Sequence, residues 1–384
     1  MIFSLVLILL LELILFFLIS ALKKKIPWII TNKDEYPNFK LKKNKNFISN
    51  TFNEDLGWDW KAFKTHQENF LDKKININFG KYGERLGLNK IKYNKIKYAS
   101  FGDSFVFCRF VKNQYTWQEQ IDKNNTKIMN FGVGNYGLDQ IYLKYKKHKI
   151  PKNIKNIFIG FVPETLSRCL CSWKHYHEFN NIYGFKPKFL LIKNNLKLVR
   201  NPIKNIYSFE DMDKRIKRLK KQEYFYKNKF IKHKFYFPYL YTFFKNPIFN
   251  TKLIFFSAYK LLNSNNDKLH DLIIKKNCRE NDNLFLDNKN KTFLKKLINQ
   301  IIKLGKQRKQ KIIFLIFPQK YDLELKNNNY SNFFLNFNKQ IKIIDFTQVF
   351  KKYDLNKIYL PGKYGGHLSN FGNLIVAKTL KKLN

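Results

Sequence analysis

The chain has 384 residues, which is enough for one large domain or two small ones. Its formal net charge of +45 would ordinarily suggest nucleic acid or an anionic surface as a partner. The basic residues are mostly lysines spread along the whole chain among abundant Asn, Ile and Phe, as an AT-rich genome would encode, and no zinc-finger or RRM pattern is present. A specific nucleic-acid binder is therefore disfavoured, while anionic lipid or acidic polysaccharide stays open as a partner.

The N-terminal segment is predicted to be a membrane anchor over residues 1–25. Residues 2–22 are nearly all apolar apart from Glu12 and two serines, and as a helix they would just span a bilayer. Lys23 to Lys25 follow without a small-residue cleavage site, which favours a single-pass anchor over a removed signal peptide or a buried soluble helix. The lysines would keep the body cytoplasmic. Enzymes with this layout more often face outward, so we lean to the periplasmic or extracytoplasmic side and leave the orientation open.

Residues 26–95 are predicted to be a linker and lead-in, and residues 96–384 an α/β domain. Apolar runs predict strands over 96–101, 127–131, 156–161, 311–317 and 341–345. Three- and four-residue apolar spacing predicts helices over 138–147, 293–304 with Gly305 as C-cap, and 374–383. This alternation predicts an α/β fold, a parallel sheet with helices on both faces. The aromatic, basic stretch 173–290 is predicted to be a cap-like insertion with an amphipathic helix near 209–221.

Three segments follow predicted strands or precede the last helix, where a parallel sheet carries its working residues. Ser104 in 102–104 could be a nucleophile, or Asp103 and Ser104 could simply cap a helix. The Gly-rich loop 130–137 could bring backbone N–H groups to a ligand, or form an ordinary turn. His367 could be a general base, or a surface residue beside a cap formed by Ser369 or Asn370.

The order of these blocks resembles the SGNH/GDSL hydrolase family. The matching segments are Gly102-Asp103-Ser104-Phe105, the loop Asn130 to Gly137, and His367-Leu368-Ser369-Asn370-Phe371-Gly372. A lead-in at Gly80 to Arg85 is similar to that of membrane-anchored bacterial members. The resemblance covers about residues 80–165 and 310–384, and the ordered set is more specific than any single block.

The resemblance implies a three-layer, SGNH/flavodoxin-like parallel sheet and a role for each block. Ser104 would be the nucleophile and His367 the base that takes its proton. The backbone N–H groups of Ser104 and of Gly134 or Asn135 would form the oxyanion hole, in which one donor is typically worth about 3 kcal/mol. Asp103 would support the turn rather than transfer protons. No cofactor and no metal are implied.

Two departures from the family pattern concern the acid and an Asn side chain. The positions where the family carries its acid hold Tyr364 and Gly365, so the orienting group could be Glu164, Asp354, Asp345 or a backbone carbonyl. The family's Asn after the third strand is missing in the segment Gly160 to Thr165. Glu164 could instead be a structural carboxylate paired with an arginine.

The predicted function is a membrane-anchored esterase or O-acyltransferase acting on an acylated carbohydrate or another ester. The alternative is a degenerate member that binds an envelope glycan without catalysis. A third hypothesis, a basic membrane- or nucleic-acid-associated protein, rests on charge alone. The aromatic cluster Trp173 to His177 could line a sugar site, pack under a cap, or supply two weakly spaced metal ligands. The four cysteines form no CxxC pair and are predicted to be buried or free thiols.

Overall fold

The computed structural model describes residues 2–39, 50–71, 73–88, 92–121, 127–264, 266–326, 328–335, 337 and 341–382. Met1, positions 40–49, 72 and 89–91 of the predicted lead-in, and position 383 of the predicted last helix lie outside this set. The five strands of the central sheet are β1 Tyr98–Gly102, β2 Ile128–Gly132, β3 Asn156–Phe161, β4 Lys311–Ile316 and β5 Lys342–Asp345.

The central sheet is entirely parallel and has the order β2-β1-β3-β4-β5. This is a doubly wound order, and its direction reverses between β1 and β3. In the register, Gly102 lies opposite Gly132, and Ile316 lies opposite both Phe161 and Asp345. The predicted parallel α/β sheet is confirmed. The ligand-binding crevice expected of such a sheet lies at the carboxyl ends of β1 and β3.

Seven helices among the described residues have at least nine residues: α1 Ile2–Lys23, α2 Leu138–Lys147, α3 Met212–Lys220, α4 Pro247–Leu262, α5 Lys268–Asn283, α6 Asn288–Gln307 and α7 Asn370–Lys381. Shorter α-helices are Ser104–Phe107, Trp117–Ile121, Glu164–Cys169, Ile231–His233, Tyr239–Phe244, Asn329–Leu335, Thr347–Phe350 and Leu355–Ile358. Two hairpins pair Thr65–Phe70 with Lys73–Asn78 and Lys188–Ile192 with Asn195–Val199. Short strands pair Phe52–Asn53 with Gly57–Trp58, and Ile30–Thr31 with Lys234–Phe235.

The two faces of the sheet are buried by different helices. On β4, Ile312, Phe314 and Ile316 belong to one apolar cluster, which also contains the buried apolar residues of α2 and α6. The alternate residues Ile313 and Leu315 belong to a second cluster with α7. Because side chains of a strand alternate between its faces, an almost continuous apolar run is buried on both sides. This explains why the central strands are recognisable from sequence.

The helix boundaries differ from the predictions where caps were misread. Gly305 lies inside α6 rather than at its end, and a Cβ there would meet Ile312 Cγ1 at 2.5 Å. This glycine therefore serves close helix–strand packing. Helix α6 begins earlier than predicted because the Asp287 side chain caps it. Helix α7 begins at Asn370, where the Ser369 hydroxyl accepts the Gly372 N–H at 3.0 Å.

Helix α1 is long and apolar enough to cross a membrane, by its length and composition. Most of its side chains from Ile2 to Leu18 are exposed, whereas Ile19 and Leu22 are buried against the rest of the chain.

Candidate active site

Ser104 lies at the first turn after the carboxyl end of β1. It is the first residue of the short helix Ser104–Phe107, and Asp103 caps this helix by accepting the Phe105 N–H at 3.0 Å. The cap is therefore Asp103, so the Ser104 hydroxyl is not needed for capping. Ser104 is largely buried and lines a cavity of about 330 Å³.

His367 lines the same cavity as Ser104, together with Arg109, Asn135 and Glu164. The His367 ring centroid lies 5.6 Å from that of Phe105, the residue next to Ser104. No hydrogen bond joins Ser104 to His367 among the residues that the structure describes. Catalytic hydrogen bonds are often long without substrate, so this geometry is compatible with a base that engages the hydroxyl during reaction.

A backbone carbonyl orients the His367 imidazole. His367 Nδ1 lies 2.6 Å from the Tyr364 carbonyl oxygen, so Nδ1–H donates and Nε2 carries the lone pair. Gly365 and Gly366, with φ of +72° and +59°, form the left-handed turn that brings this carbonyl back to the ring. Burial, assisted by the charge of Arg109, lowers the pKa of His367 to about 4. The ring is therefore neutral, as a general base must be.

Backbone N–H donors are available beside Ser104. Within the described part of the chain, the N–H groups of Ser104, Gly134 and Asn135 donate to no protein acceptor. The carbonyls of this loop are held from elsewhere, since Gly134 accepts from Trp58 Nε1 at 3.0 Å and Asn135 from Lys174 Nζ at 3.3 Å. Asn135 has a left-handed φ of 66°. These N–H groups can therefore serve a ligand oxygen at the cavity.

A buried ion-pair network supports the Ser104 turn. Arg168 donates to Asp103 at 2.8 Å, to Glu164 at 2.7 Å and to Glu178 at 3.2 Å. Lys174 also binds Glu178, at 2.7 Å. Burial opposes ionisation of Glu178, but the charges of Lys174 and Arg168 hold its pKa below its usual range. Arg168 thus links the residue before the nucleophile candidate to the helix that follows β3.

The carboxylates considered as orienting acids have other partners. Glu164 lines the cavity, but its Oε2 accepts from Arg168. Asp354 caps helix Leu355–Ile358 by accepting the Asn356 N–H at 2.9 Å, and Asp345 accepts the Thr347 N–H at 2.8 Å. None of the three hydrogen-bonds to His367 in the described structure. The backbone-carbonyl alternative is the one that matches the geometry.

A second cavity, which was not predicted from the sequence, lies beside the first. This cavity, of about 390 Å³, adjoins the first through Arg109 and Asn135 and is lined by Trp58 and Trp60. Arg109 Nε lies 2.9 Å from Glu68 of the first hairpin. Trp58 lies within the predicted linker and lead-in, residues 26–95, to which no ligand-binding role was assigned. Its contact with Gly134 joins residues 76 positions apart, a separation at which local patterns give no signal.

In the aromatic cluster after β3, Trp173 to His177, most side chains pack in the protein interior. Trp173 is buried and stacks on Phe185 with ring centroids 5.0 Å apart, and Tyr176 is buried as well. His177 lines the first cavity, and its Nδ1 has no hydrogen-bond partner among the described residues, although it lies 3.7 Å from Glu178 Oε1. Possible ligand atoms of His177, Glu164 and Glu178 lie within 4.8 Å of one another. Both carboxylates already accept from cationic side chains, so this cluster is satisfied as an ion-pair network.

The cysteines form no disulfide bond among the described residues: Cys108, Cys169, Cys171 and Cys278 are all buried and free.

In comparisons with known proteins, no protein-family model matches this sequence, and no curated protein matches it.

Proposed function

We propose that the protein is an SGNH-type enzyme that cleaves an ester, or transfers its acyl group, through Ser104. One observation carries this proposal. Ser104 and His367 line a single cavity, and the hydrogen bond from His367 Nδ1 to the Tyr364 carbonyl leaves Nε2 free as a base. The free N–H groups of Ser104 and Asn135 beside the same cavity support it further.

In the proposed mechanism, His367 Nε2 takes the proton of the Ser104 hydroxyl as Oγ attacks the ester carbonyl carbon. The carbonyl oxygen becomes an oxyanion and accepts from the N–H groups of Ser104 and of Asn135 or Gly134. The protonated His367 then gives its proton to the departing alcohol as the C–O bond breaks. Water or a second alcohol, deprotonated by His367, attacks acyl-Ser104 and releases Ser104.

Because a backbone carbonyl, rather than a carboxylate, accepts from His367 Nδ1, we expect the enzyme to be slow. Both can hold the imidazole in the correct tautomer, but a carbonyl dipole stabilises the imidazolium less than a full negative charge. Replacing the acid of a serine protease triad costs about 10⁴ in rate, most of it through loss of the correct tautomer. Because Tyr364 preserves the tautomer, we expect a smaller loss than this.

The proposed substrate class is an acylated carbohydrate. The second cavity supports it, because Trp58 and Trp60 line a space that adjoins Asn135 and Arg109 at the reacting centre. Aromatic faces are suitable surfaces for the apolar faces of sugar rings. We further propose that α1 anchors the enzyme as a single span, with the body on the periplasmic or extracytoplasmic side.

Hydrolysis assays on the purified full-length chain test this proposal. We expect release of p-nitrophenol from p-nitrophenyl acetate and of acetate from an O-acetylated oligosaccharide, both abolished by Ser104→Ala. Ser100→Ala is the matched control, because the buried Ser100 hydroxyl donates to the Met129 carbonyl and does not line the cavity. Equal activity of wild type and Ser104→Ala would contradict the proposal.

A glycan-binding protein without catalysis is the second candidate. The observation that favours it is the absence of any carboxylate on His367 in the described structure, combined with the tryptophan-lined cavity. This candidate predicts that Ser104→Ala leaves binding of a deacylated oligosaccharide unchanged, whereas Trp58→Ala weakens it, as measured by calorimetry. It also predicts no ester hydrolysis by the wild type.

A further inference from the structure

The anchor helix has a folded partner inside the chain. Ile19 and Leu22 of α1 are buried in an apolar cluster with Leu253 of α4. Phe16 contacts Tyr239 of the short helix Tyr239–Phe244, with ring centroids 5.8 Å apart. The short helix and α4 therefore pack along α1 itself, including the part of α1 that is predicted to lie within the membrane.

Glu12 ties the short helix to the anchor. It is the one acidic residue of α1, and it is only 8% exposed. Its two carboxylate oxygens accept the N–H groups of Tyr239 at 2.6 Å and Leu240 at 3.0 Å. The first N–H groups of a helix have no partner within the helix, and in hydrocarbon no water can replace one. Glu12 thus satisfies polar groups that would be costly to place in a bilayer.

The outward face of α4 is apolar. Ile248, Phe255, Tyr259 and Leu262 are 73%, 62%, 37% and 87% exposed. They are spaced by seven, four and three residues, which places them on one face of the helix. Tyr241 and Phe244 of the short helix are exposed beside them. A contiguous apolar surface of this kind marks a protein–protein or membrane contact.

The length and charge of α4 favour a bilayer surface. Its 16 residues correspond to about 24 Å, which is shorter than a spanning helix and is typical of a re-entrant or interfacial segment. Lys245 and Lys252 are exposed next to the apolar side chains. Lysines in such positions extend their ammonium groups to lipid headgroups while their stems cover apolar surface.

We propose that residues 239–262 enter the bilayer beside α1 without crossing it, and that the outward face of α4 contacts phospholipid acyl chains. Continuity with α1 selects lipid as the occupant, because the exposed side chains of α1 and of α4 belong to elements packed directly on each other. The proposal does not depend on whether Ser104 is a nucleophile.

One consequence concerns access to the cavity of Ser104 and His367. Trp28, just after α1, and Phe249 of α4 both line that cavity. Trp28 also contacts His270 of α5, with ring centroids 4.7 Å apart. If α4 lies in the membrane surface, this end of the cavity opens close to the lipid headgroups, and a membrane-held substrate can reach it directly.

Site-directed spin labelling of the full-length chain in phosphatidylethanolamine/phosphatidylglycerol nanodiscs tests the proposal. Single cysteines are introduced as Phe255→Cys and Leu262→Cys, with Lys197→Cys on the exposed hairpin as control. The native cysteines are all buried, so we expect them to react little with the spin label. Labelling of the unsubstituted chain measures this background. We expect the ratio of oxygen to nickel-chelate collision rates to be several-fold higher at position 255 than at position 197.

Two results would overturn the proposal. Equal ratios at positions 255 and 197 would place α4 in water. Exclusion of both reagents from position 255, together with cross-linked dimers, would mean that a second copy of the chain covers this face. A circular dichroism spectrum matching the unsubstituted chain excludes misfolding as the cause of either result.

Discussion

Two short helices of this protein each begin beside a buried carboxylate, and the two carboxylates have different kinds of partner. Asp103 caps its own helix and is paired with Arg168, which also binds two further carboxylates. Glu12 reaches a helix 227 positions away and accepts only backbone N–H groups among the described residues. At the carboxyl end of the sheet, the buried carboxylate is therefore stabilised by a cationic side chain. Beside α1, the buried carboxylate is stabilised by N–H groups at the start of a helix.

This difference fits the surroundings of each region. A guanidinium shared by three carboxylates holds a polar cavity in shape, which a reaction centre requires. Beside α1, a single carboxylate accepts the N–H groups of Tyr239 and Leu240 and adds only one acidic side chain to an apolar surface. The contrast can be tested by removing groups from each region in turn.

The largest expected effect is on ester hydrolysis. We expect Ser104→Ala and His367→Ala each to lower the rate by at least about 10³-fold, and the double variant to lose little more, because the two groups act as a unit. Steady-state hydrolysis of the ester substrate measures it. Asp354→Ala is the control, since Asp354 caps a helix and should leave the rate unchanged. If the losses of the two single variants were additive in the double variant, the claim that Ser104 and His367 act together would be contradicted.

Removal of Arg168 tests the charge-balanced region. Arg168→Met leaves the buried carboxylates of Asp103 and Glu164 and the partly buried carboxylate of Glu178 without this partner, so we expect the free energy of unfolding to fall by about 3–5 kcal/mol. Thermal or chemical denaturation measures the loss. Lys147→Met, at a pair in which Lys147 and Asp55 are 50% and 60% exposed, should cost less than about 1 kcal/mol. Similar losses of unfolding free energy in Arg168→Met and Lys147→Met would contradict the claim that the Arg168 network stabilises the fold more than a surface ion pair does.

Removal of Glu12 tests the anchor region. Glu12→Ala leaves the Tyr239 and Leu240 N–H groups without acceptors, and we expect a loss of about 1–3 kcal/mol. In nanodiscs, hydrogen exchange at these two amides should accelerate. Glu12→Gln keeps one carbonyl oxygen and should fall between wild type and Glu12→Ala. Unchanged exchange in Glu12→Ala would show that this contact does not hold the helix.

The smallest expected effect is on the pH dependence of the reaction. In the proposed mechanism the base works as neutral imidazole, so we expect activity to be lost as the pH falls through the pKa of His367, which burial lowers to about 4. Between pH 7 and pH 5 we expect the rate to change by less than about twofold, whereas an ordinary histidine would lose more than about tenfold. A stopped-assay pH profile distinguishes the two, and a midpoint near 6.5 would contradict the buried, carbonyl-held ring.

The sheet could be predicted from the sequence because its strands are buried on both faces and appear as apolar runs. Helix ends were predicted less well, since Gly305 resembles a cap but serves packing against Ile312. At the candidate site, the turn of Ser104 and the loop of His367 were recognisable as short local patterns. Which of those residues react stays a prediction.

The supporting contacts could not be predicted because they join distant segments. Arg168 binds Asp103 across 65 positions, and Glu12 meets Tyr239 across 227. The carbonyl partner of His367 is close in sequence, but any backbone carbonyl is chemically the same, so no residue type marks it. Glu164 and Asp354, which were predicted as possible orienting acids, have other partners: Glu164 accepts from Arg168, and Asp354 accepts the Asn356 N–H.

The most direct test of the central claim is active-site labelling with a fluorophosphonate. The full-length protein is treated with the probe, digested and analysed by mass spectrometry, with Ser104→Ala and His367→Ala treated in parallel. The account predicts phosphonylation of the Ser104 peptide in the wild type, none at that position in Ser104→Ala, and a much slower reaction in His367→Ala. A folded wild type that is not labelled at Ser104, or is labelled equally fast in His367→Ala, would contradict it.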